Sequence, residues 1–193
     1  MFFDKAALRN ALAALGRLLQ RRGEHFHVVV IGGSALLLEG VINRPTVDVD
    51  VLALRTDAGL IKGRPLPLPL VEAVEDIAAQ LDLPVGWLNA GPADLMDWGL
   101  PEGFTLRLRS EDFGGLVVAR AGRFDLVAFK LYAFADQGPT SRHLDDLLAL
   151  DPATEELDSA AEWCRTQDAS PAFDDLLAAA LRLLAGRHGE PRG

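Results

Sequence analysis

The chain has 193 residues, of which 49% are hydrophobic and 24% are charged; these values are typical of a soluble globular protein that buries a core without disulfide bonds. Its net charge of −9 argues against an extended basic surface for nonspecific nucleic-acid binding. The only cysteine is Cys164, which excludes an intrachain disulfide and a cysteine metal cluster.

The beginning of the chain lacks a basic segment followed by an apolar one, and no apolar run approaches the roughly 18 residues of a membrane span. A single cysteine fits a reducing compartment. We therefore expect a cytoplasmic protein that does not insert into a membrane.

The first predicted elements are a helix and a buried strand. Leucines recur at helical spacing over residues 4–22. Residues 28–31 form a β-branched run of the length of a buried strand. Gly32 and Gly33 end this run, because glycine adopts tight or positive-φ backbone at little conformational cost. Ser34 then stands where a helix N-cap belongs, ahead of a helix over residues 35–39.

The next predicted strand, which continues through residue 54, carries two acids. Alternate residues of a strand face opposite sides. The face expected to enter the core carries Val47, Val49 and Val51, and the opposite face carries Arg44, Thr46, Asp48 and Asp50. At a rise of about 3.3 Å per residue the two acids lie roughly 6–7 Å apart, and they can share a divalent cation together with substrate phosphates.

The middle of the chain alternates loops with short elements. The density of glycine and proline over residues 57–70 predicts a loop. We expect a helix over residues 71–81, strands over 85–89, 105–109 and 116–119, and a weak helix over 93–98.

The last third of the chain is predicted to be helical. The expected helices span residues 124–136, 142–150, 151–167 and 170–186, and the tail at 187–193 is expected to be disordered. Of the residues here, Cys164 is expected to be a buried, inert thiol, because only Arg165 lies nearby in sequence to lower its pKa.

The pattern of Gly32-Gly33-Ser34 followed by Asp48-Val49-Asp50 resembles the signature of the polymerase-β-type nucleotidyltransferase superfamily. The resemblance implies an α/β (α+β) nucleotidyltransferase fold with a mixed sheet over residues 1–120 and a helical C-terminal part over 121–186 packed on this core. It also implies that the Gly/Ser turn holds an NTP triphosphate, with Arg44 and Thr46 in the nucleotide site. Asp48 and Asp50 would then bind Mg²⁺ or Mn²⁺. The alternative is an ordinary turn followed by an exposed strand.

Two later segments, residues 125–133 and 142–150, are similar to the second half of AbiEii-like and related minimal bacterial nucleotidyltransferases, which include toxins of toxin–antitoxin systems. The similarity implies that Lys130 approaches the nucleotide phosphates and that Asp146 lies near the active site. The alternative for Lys130 is a surface lysine whose aliphatic part covers apolar surface while its ammonium group reaches solvent. The alternative for Asp146 is a surface acid that pairs with Arg142 at helical spacing.

The chain departs from the superfamily pattern at the third carboxylate, which usually lies on a neighbouring strand. The corresponding segment offers Asn89, whose carbonyl can coordinate a cation but which cannot accept a proton. His143 is a second departure, at a position where relatives often have an acid. Other carboxylates that could serve as the third acid are Asp94, Asp97, Glu111 and Asp112.

The function favoured by these features is transfer of a nucleoside monophosphate from an NTP to a hydroxyl acceptor, with release of pyrophosphate. The acceptor could be tRNA, a protein or a small molecule, and a cognate toxin or antitoxin protein is a possible partner. The first alternative is a catalytically silent nucleotidyltransferase-like protein that binds nucleotides or a partner, which Asn89 favours. The second is an interaction module that binds no nucleotide.

Overall fold

We describe the protein from a computed structural model that covers residues 3–188, with side chains through Gly186. The chain divides into two compact units, with the boundary between Gly122 and Arg123. The protein is an α/β protein with a mixed sheet and C-terminal helices, as expected from the sequence. Among residues 3–188, no helix has both the length and the apolar character needed to cross a membrane.

The first unit consists of a sheet with helices. Its helices are α1 (Lys5–Arg21), α2 (Gly32–Glu39), α3 (Leu68–Leu81) and α4 (Leu95–Trp98), and its strands are β1 (Phe26–Ile31), β2 (Val49–Thr56), β3 (Gly59–Lys62), β4 (Leu88–Asn89), β5 (Arg109–Asp112) and β6 (Leu116–Arg120). Two short 3₁₀ turns lie at Gly91–Asp94 and Phe104–Leu106.

The sheet formed within the described residues has the order β3-β2-β1-β6-β5, and β4 pairs with the beginning of β2. β1 runs antiparallel to β2 and parallel to β6, so the sheet is mixed. A bulge between Val29 and Val30 sets the register that places Ile31 opposite Asp50. The strand at the centre therefore ends directly beside the acid-bearing strand.

The core of this unit follows from the apolar periodicity of α1 and β1. Asp4 caps α1 by accepting a hydrogen bond of 2.8 Å from the Ala7 N–H. The leucines of α1 at helical spacing, Leu8, Leu12, Leu15 and Leu19, are all 0% exposed. Val28, Val29 and Val30 in β1 are likewise completely buried, so this strand is covered on both faces.

The predicted loop at residues 57–70 is partly wrong. Gly59–Lys62 pairs with β2 as an edge strand, where breakers nearby are tolerated. The prolines lie mainly after this strand, and α3 already begins at Leu68 because Pro69 occupies its first turn, where the missing N–H is not needed.

The strand predicted over residues 105–109 is wrong. Phe104–Leu106 forms a 3₁₀ turn, in which the Arg107 N–H donates to the Phe104 carbonyl at 3.1 Å. Leu106 is 89% exposed, so the apolar alternation has no core face to enter. The strand begins only at Arg109.

The second unit contains helices α5 (Arg123–Gln137), α6 (Arg142–Leu150), α7 (Thr154–Gln167) and α8 (Pro171–His188). α5 lies at its centre and packs against the other three. α8 extends two residues beyond Gly186, where the sequence predicted its end. The remainder of the predicted disordered tail, residues 189–193, lies outside the described residues.

Candidate functional site

The glycine turn connects β1 to α2 without an intervening loop. α2 begins at Gly32, and Ile31 is its N-cap residue. The prediction that Ser34 is the N-cap is wrong, because Gly32 adopts a φ of +73° directly after the strand and lets the helix start three residues earlier. Ser34 is 0% exposed, and its hydroxyl donates to the Ile31 carbonyl at 3.3 Å.

Gly32 lies directly against the carboxylate of Asp50. A Cβ atom added at Gly32 would lie 2.5 Å from Asp50 Oδ2, closer than any real side-chain contact. The contact follows from the strand register, since Ile31 pairs with Asp50 and the chain continues into Gly32. The absence of a side chain at Gly32 is thus what allows this carboxylate to lie beside the start of the helix.

The second glycine of the turn meets Thr46. A Cβ atom at Gly33 would lie 3.0 Å from Thr46 Oγ1. Thr46 is 3% exposed, and its backbone pairs with that of Phe3 through two hydrogen bonds. Its hydroxyl donates to the Asp48 carbonyl at 3.3 Å, which connects the turn to the acid-bearing segment.

The acid-bearing segment differs from the continuous strand that the sequence predicted. β2 begins at Val49, one residue after Asp48. Val49 and Val51 are completely buried, as expected, but Val47 is 37% exposed, so its assignment to the core face is wrong. The reason is that residue 46 pairs with Phe3 in an isolated bridge and the regular β2 ladder starts only after it.

Asp48 and Asp50 are both half-buried. Asp50 lies beside Gly32, as described, and pairs with Asn89 in the register of β2 and β4. Asn89 lies close to Asp48 as well: its Nδ2 is 3.4 Å from Asp48 Oδ2. Arg44, the other residue predicted for the nucleotide site, is half-buried in the segment ahead of β2.

The donor set at this position fits a hard divalent cation. Two carboxylates two residues apart can supply oxygen ligands. The space beside Asp50, which a side chain at position 32 would fill, is open because that residue is glycine. Mg²⁺ is commonly held by one or two carboxylates and completes its shell with waters and substrate phosphates. Within residues 3–188, no group of three or more His, Cys, Asp or Glu side chains is arranged to hold a metal.

The other carboxylates considered for the role of third acid have partners in the first unit. Asp94 and Asp97 form ion pairs with Lys62 at 2.6 Å, and Asp94 also pairs with Arg64. Arg64 and Lys62 lower the pKa of Asp94 to about 2. Glu111, which lies on β5, forms ion pairs with Arg9 and Arg120. Asp112 accepts a 2.7 Å hydrogen bond from the Gly114 N–H.

Lys130 and Asp146 lie in the second unit, where they pair with each other. Lys130 Nζ is 2.7 Å from Asp146 Oδ2, and the two side chains are 6% and 0% exposed. His143 follows at the edge of the pair, with Nδ1 3.4 Å from Lys130 Nζ and Nε2 3.2 Å from Gln137 Oε1. The alternatives of a surface lysine and a surface acid are therefore wrong, because both side chains are buried at the contact of α5 with α6.

Two features of the site could not be found in the sequence. One is the contact of Gly32 with Asp50, which depends on the bulge in β1. The other is the orientation of the Asn89 side chain, whose Oδ1 accepts a 2.8 Å hydrogen bond from the Gly91 N–H. A glycine two residues after an asparagine is compatible with such a turn, but it is too common a pattern to indicate one.

A family model described as "Nucleotidyltransferase of unknown function (DUF6036)" matches residues 6–140 of the chain. Searches of curated proteins and of solved structures give no significant match. The matched region contains the glycine turn, Asp48, Asp50 and Lys130, and it ends before Asp146.

Proposed function

The chain belongs to this nucleotidyltransferase family of unknown function, and we propose that it transfers a nucleoside monophosphate from an NTP to a hydroxyl acceptor. The observation that carries the proposal is the contact of Gly32 with Asp50, which brings a helix N-terminus and a carboxylate together. The first N–H groups of a helix have no intrahelical partner and suit phosphate oxygens. A carboxylate repels phosphates bound beside it unless a cation lies between the two.

Each residue of the site has a distinct part in this proposal. The turn at Gly32 and Gly33 seats the triphosphate, because the backbone can approach phosphate closely where side chains are absent. Asp48 and Asp50 would hold Mg²⁺ or Mn²⁺, which when bound would offset the charge of the phosphates and of the leaving pyrophosphate. Thr46 supports the turn through Gly33 and the backbone of Asp48.

The reaction forms one bond and breaks another at the α-phosphorus. The acceptor oxygen attacks this atom, the bond to the bridging oxygen of the β-phosphate breaks, and pyrophosphate leaves with the electron pair. The hydroxyl proton passes to solvent or to a base on the acceptor. In this proposal the chain contributes binding and orientation, because Asn89, on the strand next to the two acids, cannot accept a proton.

Calorimetric titration with ATP, GTP, CTP and UTP in Mg²⁺ tests the site. We expect binding through the triphosphate that all four nucleotides share, and we expect Asp48→Asn and Asp50→Asn to weaken it by about 10-fold or more. Asp57→Asn, an exposed acid in the turn between β2 and β3, is the matched control and should bind like the wild type. Equal binding by all four proteins would contradict the metal assignment.

Incubation with labelled NTPs separates transfer from binding. The wild type should transfer label to a component of total tRNA or of a cell lysate, and the Asp48→Asn variant should not. Nucleotide binding without any transfer would favour the second candidate function, a catalytically silent protein that binds nucleotides or a partner. The specific observation that favours this candidate is Asn89, which presents an amide to Asp48.

The similarity of residues 125–133 and 142–150 to AbiEii-like proteins supports a role in a toxin–antitoxin pair. On this proposal, induced expression of the wild type in a bacterial host arrests growth, and Asp48→Asn/Asp50→Asn does not. Co-expression of the neighbouring gene should restore growth. Arrest by both proteins to the same degree would contradict a toxic activity at this site.

A further inference from the structure

The side chain of Asn89 has one orientation that satisfies its hydrogen-bond partners. Its Oδ1 accepts from the Gly91 N–H at 2.8 Å. Its Nδ2 therefore points the other way, to 3.4 Å from Asp48 Oδ2 and 3.5 Å from the Gly86 carbonyl. A backbone N–H can only donate and a carboxylate can only accept, so exchanging the two ends of the amide would place donors and acceptors wrongly at both contacts.

The strand pairing holds Asn89 in this place. Leu88 and Asn89 pair in parallel with Val49 and Asp50. The preceding residue, Trp87, is 1% exposed, and its Nε1 donates to the Val74 carbonyl at 3.1 Å. Asn89 is thus anchored through its own backbone and its neighbour, and it reaches Asp48 from the strand next to the two acids.

We propose that Asn89 is a positioning residue that acts through Asp48. Its amide nitrogen holds one oxygen of the Asp48 carboxylate, and its carbonyl oxygen, which the sequence suggested as a cation ligand, is engaged by Gly91. Because the end of the amide that faces Asp48 is the nitrogen, which cannot ligate a cation, Asn89 orients a ligand and contributes none itself. This inference rests on the proposed function, because orienting Asp48 matters for a cation and nucleotide that Asp48 helps to bind.

Residues that orient metal ligands from outside the coordination shell affect metal affinity strongly, typically by 10–100-fold when they are removed. A residue that acts only through Asp48 loses its effect when Asp48 is absent. A residue that contacts the cation or nucleotide directly keeps its effect. The distinction can be measured with a double-mutant cycle on Asp48 and Asn89.

The cycle uses the full chain, with Mn²⁺–ATP as the probe, since its triphosphate is common to all NTPs. The proteins are the wild type, Asn89→Ala, Asp48→Ala and the double variant. We expect Asn89→Ala to weaken binding by about 10-fold in the wild-type background and by less than about 2-fold in the Asp48→Ala background. Asn10→Ala, an exposed asparagine on α1, is the control and should leave binding unchanged.

The inference is overturned if Asn89→Ala weakens binding by the same factor in both backgrounds, or if it has no effect in the wild type. A second readout distinguishes this failure from failure of the proposed function. In EDTA, urea unfolding of the same four proteins reports the contact alone, and we expect Asn89→Ala to lower the midpoint less when Asp48 is absent. If the wild type binds no Mn²⁺–ATP, equal midpoint shifts in both backgrounds overturn the inference and unequal shifts support the contact.

Discussion

The two units place aspartates in opposite surroundings. In the second unit Asp146 is completely buried and has Lys130 Nζ at 2.7 Å, so the charge of the acid is offset by a side chain of the same chain. In the first unit Asp48 and Asp50 are both half-buried. Asp50 lies beside the first residue of α2, and Asp48 contacts the neutral amide of Asn89.

On the proposed function, the acids of the first unit belong to a binding site and the ion pair of the second unit is structural. A buried carboxylate and ammonium 2.7 Å apart neutralise each other and join α5 to α6. Two carboxylates two residues apart on an acid-bearing segment offer the oxygen ligands that a divalent cation takes. We therefore expect variants of Asp48, Asp50 and Gly32 to change nucleotide binding, and variants of Lys130 and Asp146 to change stability.

The largest expected effect is in the second unit. Lys130→Met leaves Asp146 buried without its cation and should lower the free energy of unfolding by about 3–5 kcal/mol. Lys130→Met/Asp146→Leu removes both charges and should recover most of this loss, because an apolar pair of similar volume is often as stable as the ion pair. Urea denaturation followed by circular dichroism measures both.

Arg142→Ala is the control, because Arg142 is exposed on α6. Its removal should change the free energy of unfolding by no more than about 0.5 kcal/mol. The comparison of the two units fails if Lys130→Met unfolds like the wild type but binds NTP more weakly. That result would assign Lys130 to the nucleotide phosphates, as the resemblance to known nucleotidyltransferases implies.

Gly32 and Gly23 provide a matched pair for the first unit. Both have a φ near +72° (+73° and +72°), but a Cβ atom at Gly32 would strike Asp50 Oδ2, whereas at Gly23 nothing lies within 4 Å. Gly23→Ala should lose about 1–2 kcal/mol of stability, because a left-handed backbone strains a residue with a Cβ atom. Gly32→Ala should lose at least as much, because its Cβ atom also strikes Asp50. Only Gly32→Ala should also weaken NTP binding, by about 10-fold or more, because it displaces Asp50.

Calorimetric titration with NTP and Mg²⁺, together with urea denaturation of both variants, measures this pair. If Gly23→Ala and Gly32→Ala lose the same amount of nucleotide binding, the loss comes from backbone strain alone. The contact with Asp50 would then have no role in the site.

The positions of the acids and of the glycine turn could be predicted because strands and turns leave local signals. The β-branched run of β1, its termination by glycine and the alternation around Asp50 each depend on neighbours a few residues apart. What could not be predicted is the bulge between Val29 and Val30, which sets the pairing of Ile31 with Asp50. Register depends on how whole strands pack, and no short pattern encodes it.

The ion pair between Lys130 and Asp146 could not be predicted for a related reason. The sequence places each on a helix, and helical spacing offers Arg142 as a partner for Asp146. The actual partner is on another helix, sixteen positions earlier in the chain. Charged residues are rarely buried unless they are paired, so a sequence with many surface acids gives no indication of which one is enclosed.

Ser34 tests whether the turn binds phosphate through its backbone. The Ser34 hydroxyl is buried and donates to the Ile31 carbonyl. Ser34→Ala should therefore lower the free energy of unfolding by about 1 kcal/mol and should change NTP affinity by less than about 2-fold, within the small effect of a residue that does not contact the ligand. Unfolding and titration of one preparation give both values, and a large loss of affinity at unchanged stability would show that the hydroxyl reaches the nucleotide.

The smallest expected effect is at Cys164, whose reactivity with a thiol reagent reports whether solvent reaches the interior of the second unit. Its thiol is 0% exposed and lies 3.8 Å from the carbonyl of Ala128 on α5, the helix of Lys130. Burial raises the pKa of the Cys164 thiol from 9.0 to about 12, so the protonated form is stabilised in the folded state and its contribution to stability is lost as the pH rises through this range. A thiol reagent at neutral pH should not label the native wild type and should label it in urea. Labelling of native Lys130→Met would show that the ion pair of Lys130 with Asp146 keeps solvent out of the second unit. Labelling of the native wild type would mean that this unit opens readily and that Asp146 is less protected from solvent than its burial indicates.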